Sequence, residues 1–173
     1  NHESSIFIGF FGLALVTLIS LVTSLFVQHD YVHNLILHFI GIIFFIFVPI
    51  KNKSKYLKIV ILISILSFIA LLISKTHDDF SYYHLPFTKY LTEQKVIFGM
   101  GHLNHGYNLI SSLFFLNSTF YLPFIELYSF HFSSIFCLIF FNYFIIIKIY
   151  SKQTHKFFLY IYLLTFVFFN VSF

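Results

Sequence analysis

Apolar residues fall along this chain in long unbroken runs, not in strand-like alternation. No charged residue occurs from Ile6 to Val27. As a helix rising 1.5 Å per residue, that run reaches about 33 Å, enough to cross a bilayer's hydrocarbon. Residues 34–50 and 57–74 form two more runs, interrupted only by Lys58, which sits close enough to an end to snorkel. Residues 157–173 form another. The stretch 109–147 is too long for one helix, and Pro123 divides it. Its first part, 109–122, is short and polar (Ser111, Ser112, Asn117, Ser118, Thr119), whereas 124–147 is long enough to span. Lysines orient the chain. Lys51, Lys53, Lys55 and Lys58 mark one cytoplasmic loop, and Lys148, Lys152 and Lys156 mark another. Between these loops the chain leaves and must return, so only one of the two pieces crosses. The pattern predicts an all-α polytopic transmembrane helix bundle of one domain. Its spans are 6–27, 34–50, 57–74, 124–147 and 157–173, with 109–122 a short re-entrant or interfacial helix. The N-terminus is then cytoplasmic and the long loop 75–108 extracytoplasmic. A start at Asn1 and an apolar run reaching Phe173 predict the N-terminal part of a longer protein.

Composition narrows the class further. The 173 residues are 59% hydrophobic, 23% aromatic and only 9% charged. Soluble domains carry about a quarter charged residues, so a soluble enzyme, a disordered chain and a disulfide scaffold are excluded. A multi-pass protein of the plasma membrane remains. The net charge of +4 comes with ten Lys and no Arg. No basic stripe lies on a soluble face, so nucleic acid is not the partner; membrane lipid is. Cys137 is alone and cannot form an internal disulfide.

Polar residues gather on one side of this layout. His29, His33, His38, His77, His84, His102, His105 and His131 fall in the outer loops or outer span ends, with Asp30, Asp78, Asp79, Glu93 and Glu126. The positive-inside bias produces part of that asymmetry; a functional site is the other source. The sharpest element is Lys75-Thr76-His77-Asp78-Asp79. One carboxylate suits a general base toward an acceptor, the other metal binding or orientation, while Asp79 also suits an N-cap. In the next segment Phe87, Tyr90 and Leu91 share one helix face and Lys89, Thr92 and Glu93 the other. Pro86 fits a first turn, and Tyr82 and Tyr83 fit an interfacial belt. This predicts an amphipathic helix, either on the outer membrane surface or against the bundle. Gly99-Met-Gly-His-Leu-Asn-His-Gly106 then reads as a loop approaching something closely, with His102 and His105 hydrogen-bonding a polar substrate more readily than zinc. Gly9, Gly12, Thr17, Ser20, Thr23 and Ser24 suit close helix contact. Glu126 and His131 suit either closing the outer site or pairing with each other.

The order of these parts resembles the first outer loop of GT-C fold glycosyltransferases: a span ending outside, an acidic pair, an aromatic amphipathic helix, a Gly/His loop and a short helix. The run Asp78-Asp-Phe-Ser-Tyr-Tyr-His-Leu-Pro-Phe-Thr-Lys-Tyr-Leu91 also looks like a motif of uncharacterised multispanning bacterial membrane proteins. The resemblance covers about residues 57–147. It implies transfer of a sugar from a polyprenyl-phosphate donor to an acceptor at the extracytoplasmic face. Asp78 or Asp79 would be the catalytic carboxylate. Tyr82, Tyr83, His84, Lys89, His102 and His105 are the implied substrate-binding residues, and the two loop histidines would lie near the donor phosphate or a divalent metal, Mg or Mn. In that group the acidic pair follows the first span, whereas here two further spans precede it. A transporter or flippase of lipid-linked or small polar substrates, and a non-catalytic membrane subunit, are the competing readings. The first of these should show ionisable groups at mid-membrane and paired repeats, and neither is present in the sequence.

Overall fold

The computed structural model describes residues 2–47, 57–58, 61–62, 64–66, 68–69, 79–102, 105–108, 111–150 and 156–171. Among them every regular element is helical and none is a strand. We number the helices α1 (His2–Ser24), α2 (Tyr31–Phe47), α3 (Leu85–Glu93), α4 (Ser112–Ser118), α5 (Phe132–Tyr150) and α6 (Lys156–Val171). A π-helical turn, Phe80–His84, runs directly into α3, and 3-10 turns occupy Met100–His102, His105–Asn108 and Glu126–His131. Half of the expected span 57–74 lies outside the described residues; its described positions are helical.

Two of these helical stretches are long and apolar enough to cross a membrane, Phe7–Ser24 and Glu126–Ile146. Tyr31–Phe47 and Lys156–Val167 are apolar but shorter. Local chemistry sets where the elements start. Asp30 caps α2: its Oδ1 accepts the His33 N–H at 2.9 Å, which begins the helix three residues before the apolar run at Asn34. Ser111 caps α4 by accepting from the Leu113 N–H at 3.3 Å. Pro86 sits in the first turn of α3, where a missing N–H costs nothing. The predicted span 124–147 coincides with the apolar stretch Glu126–Ile146, but its first residues are not regular α-helix. Phe124 and Glu126 have φ of 72° and 47°, outside any right-handed helix, so the chain turns sharply after Pro123. It resumes as a 3-10 turn at Glu126 and as regular helix only at Phe132.

The long helices meet sparingly. α1 runs beside α5 and ends against α4, α6 lies on α5, and α3 covers α4. A Cβ on Gly9 would stand 3.0 Å from the Phe140 ring, so the backbone of α1 approaches α5 closely there. The densest apolar cluster lies elsewhere, between α3 and α4. Phe87 and Leu91 are buried against Phe114 and Phe115, with Tyr83, Tyr90, Val96, Met100 and Tyr107 around them. Ring centroids of Phe87 and its neighbours Tyr107, Phe114 and Phe115 lie 5.5, 5.8 and 5.9 Å apart. Burying each such side chain stabilises by about 1.5–3 kcal/mol. The apolar face of the amphipathic helix is therefore spent on protein, not on a lipid surface. α4 has seven residues, about 10 Å of helix, a third of a bilayer's hydrocarbon.

Candidate functional site

Above α1, the segments joining the helices form a layer tied together by buried polar side chains. His29 and Asn34 are fully buried, as are Ser20 and Ser118. The Asn34 amide Nδ2 reaches the carbonyls of His29, Ser118 and Tyr121 at 2.8, 2.8 and 2.9 Å, sharing two hydrogens among three acceptors. Its Oδ1 therefore faces His33, whose Nδ1 must carry the proton it donates across 3.0 Å. The His29 ring stacks on His33 with centroids 4.6 Å apart. Its Nδ1 meets Ser118 Oγ at 2.6 Å and its Nε2 meets Thr23 Oγ1 at 3.1 Å. Each hydroxyl also reaches a carbonyl, Ser118 to Phe115 and Thr23 to Ser20, so either neutral tautomer of His29 is satisfied. Burial, then the neighbouring His33, push the His29 imidazole down to about 4, so it is neutral at physiological pH. The backbone joins in: His29 N–H donates to Leu91 O at 2.8 Å, and Val96 N–H to Ser24 O at 2.9 Å. His29, through its ring and its backbone N–H, and the Asn34 amide thus fasten α1, α2, α3 and α4 at a single point. Ser118 and His29 are too enclosed to meet a substrate, so their contact is structural.

The residues expected to act are arranged around this layer. Asp78 lies outside the described residues. Asp79 is exposed at the start of the π-helical turn and makes no side-chain cap bond, so the N-cap alternative is not realised. Tyr82 is 80% exposed, whereas Tyr83 packs on the apolar cluster beside Phe114. His84 is half-buried, its ring 4.8 Å from that of Phe114. Lys89 pairs with Glu93 at 3.7 Å on the exposed face of α3. His102 and His105 are both exposed. A cavity of about 420 Å³ lies between the C-terminal end of α1 and the Gly/His loop. Leu21, Leu25, Phe87 and Phe115 give it apolar walls, and His102 and Asn108 add polar groups; Asp79 and His105 do not line it. The glycines are needed there. Gly99 has φ of +90°, and a Cβ on Gly101 would overlap the Asn108 side-chain amide.

A family model described as a domain of unknown function (DUF8201) matches residues 1–173. The chain belongs to the DUF8201 family. No curated protein and no solved structure matches it.

Within this DUF8201 chain, Glu126 and His131 each contact a different partner. Glu126 accepts from the Tyr31 hydroxyl at 3.2 Å, beside the stacked rings of Tyr31 and Tyr121, while the His131 ring packs on Phe80. Among the described residues no group of three or more His, Cys, Asp or Glu side chains could hold a metal ion. The Asn34–His29–Ser118 hub escaped the sequence reading because residue 118 is 89 positions from residue 29 and no spacing rule links them. Its faint signal was an Asn four residues after a helix-capping Asp, and serines in a segment too short to span.

Proposed function

We propose that this chain is a GT-C-like, multi-pass glycosyltransferase of the plasma membrane, moving a sugar from a polyprenyl-phosphate donor to an acceptor at the extracytoplasmic face. The observation that carries the reading is the cavity beneath the Gly/His loop. Its apolar walls suit an isoprenoid chain, and His102 and Asn108 offer hydrogen bonds to a polar head. The Phe80–His84 turn that follows Asp79 approaches the His105–Asn108 turn, so the carboxylate begins the same layer that ends at the cavity. An exposed carboxylate with no capping duty supports a base role for Asp79, shared with or passed to Asp78. In the reaction the acceptor oxygen attacks the anomeric carbon as its proton passes to the aspartate. The bond from that carbon to the phosphate oxygen breaks, and the phosphate leaves with the electron pair. The fastened layer holds donor-binding residues in fixed positions.

The test uses the full-length protein in membrane vesicles with radiolabelled polyprenyl-phosphate hexoses and pentoses. Asp78→Asn and Asp79→Asn should each lower transfer at least a hundredfold at unchanged membrane level, and His105→Ala less. Transfer from none of these donors by the unaltered protein, or full activity in both Asn variants, refutes the proposal.

A further inference from the structure

A second concavity, about 570 Å³ and wide-mouthed, lies between the C-terminal end of α1 and the first turns of α2. Phe26, Val27, Val32 and Ile36 give it an apolar wall, and all four side chains are exposed. That wall continues into the exposed faces of the two helices, through Val22 and Leu18 on α1 and Ile40 on α2. Its polar rim carries charges of opposite sign, Asp30 and Lys95. Hydrogen bonds define what the rim offers. Asp30 accepts from the His33 N–H, from Gln28 Nε2 at 3.2 Å and from the Val32 N–H, and a carboxylate's four acceptor sites leave room for a further donor. The His33 N–H contact, followed by Gln28, holds the Asp30 carboxyl below its ordinary range, so it is ionised. His33 donates from Nδ1 to Asn34 beside this rim. Lys95 is exposed and supplies an ammonium. The rim therefore pairs acceptors for a cation with a donor for an anion, directly above an apolar wall.

We propose that this groove binds a zwitterionic phospholipid, its phosphate at Lys95, its ammonium at Asp30, and an acyl chain along Val32 and Ile36. The assignment rests on the membrane part of the functional reading and not on the sugar transfer. A plain anionic headgroup would meet Asp30 with repulsion, and a purely apolar occupant would leave both charges without a partner. The site is distinct from the cavity under the Gly/His loop, since the two share no lining residue.

The experiment is native mass spectrometry of the full-length protein in detergent, titrated with phosphatidylethanolamine or phosphatidylglycerol of identical acyl chains. Phosphatidylethanolamine should be retained at least fivefold better. Asp30→Asn preserves the helix cap, because Asn caps as well as Asp, and should bring the two lipids level. Lys95→Gln, at an exposed position, should weaken both. Equal retention of the two lipids by the unaltered protein, or retention unchanged in both variants, overturns the proposal. Sugar transfer is measured on the same preparations. In the unaltered protein, absence of transfer with the lipid preference present refutes the transferase reading alone, and absence of the preference with transfer present refutes this one alone.

Discussion

The layer around α3 and α4 and the long helices below it solve opposite problems. In the layer, apolar rings turn inward: Phe87, Leu91 and Leu116 are almost fully buried, and charged Lys89 and Glu93 face outward. Along α1 and α2 the order is reversed. Phe11, Phe44 and Phe47 are more than half exposed, while the fully buried side chains there are Ser20, Ser24 and Asn34. Water drives the first arrangement, because apolar surface is expelled from it. The second fits a solvent as apolar as the side chains, where helices associate through small residues and hydrogen bonds instead. The hub of His29 and Asn34 sits at the boundary, and polar satisfaction does there what hydrophobic burial does a few ångströms above.

The largest effect expected from this contrast is in the layer. Phe87→Ala should cost about 3–5 kcal/mol, since it opens a cavity among four aromatic neighbours, and thermal unfolding of the full chain in detergent by circular dichroism measures it. A cost below about 1 kcal/mol would mean the cluster is not a core. The second prediction attacks the other half. Leu18 is 63% exposed, and Leu18→Asp would be nearly neutral if water surrounded it. With lipid there, a carboxylate costs about 2.5–3.5 kcal/mol, and the membrane-inserted fraction in a translocation assay should fall sharply. Undiminished insertion breaks the comparison.

Acid sharpens it at the boundary. The His29 imidazole is pushed from 6.5 to about 4 by burial and by His33. The unfolded chain therefore binds this proton more readily than the folded one. No penalty exists above pH 6.5; stability falls as pH drops through the interval from 6.5 to about 4 and levels off below it, by roughly 3 kcal/mol in all. Melting temperatures between pH 7 and 4 should show that slope in the natural protein and a shallower one in His29→Gln. Equal slopes would remove the neutral-imidazole assignment. The smallest effect is local. Asp30→Ala removes the α2 cap and should cost about 1 kcal/mol, whereas Asp30→Asn should cost little. Because the His33 N–H holds the Asp30 carboxyl below its usual value, the contribution of the cap is complete above the unfolded pKa and is lost as pH falls through the folded one. Equal melting temperatures for the Ala variant and the natural protein would show the cap to be idle.

Apolar run length alone was enough to place helices at α1, α2, α5 and α6, because runs that long exceed an ordinary strand. It was also enough to mark 109–122 as short and Gly99–Gly106 as a close-approach loop, since Pro, Gly and Ser act through their own covalent geometry. What the α3 face covers was not legible, because a stripe of Phe87, Tyr90 and Leu91 is the same whether lipid or α4 lies beneath it. Nor was the break after Pro123, since neither Phe nor Glu is a residue type that favours the positive φ found at Phe124 and Glu126. Asp79 was legible as a candidate carboxylate, and its freedom from capping was not. The joining of His29 and Asn34 to Ser118 was least legible of all. Hydrogen bonds across more than eighty residues depend on where three carbonyls meet in space, and only the folded chain brings His29, Ser118 and Tyr121 around one amide.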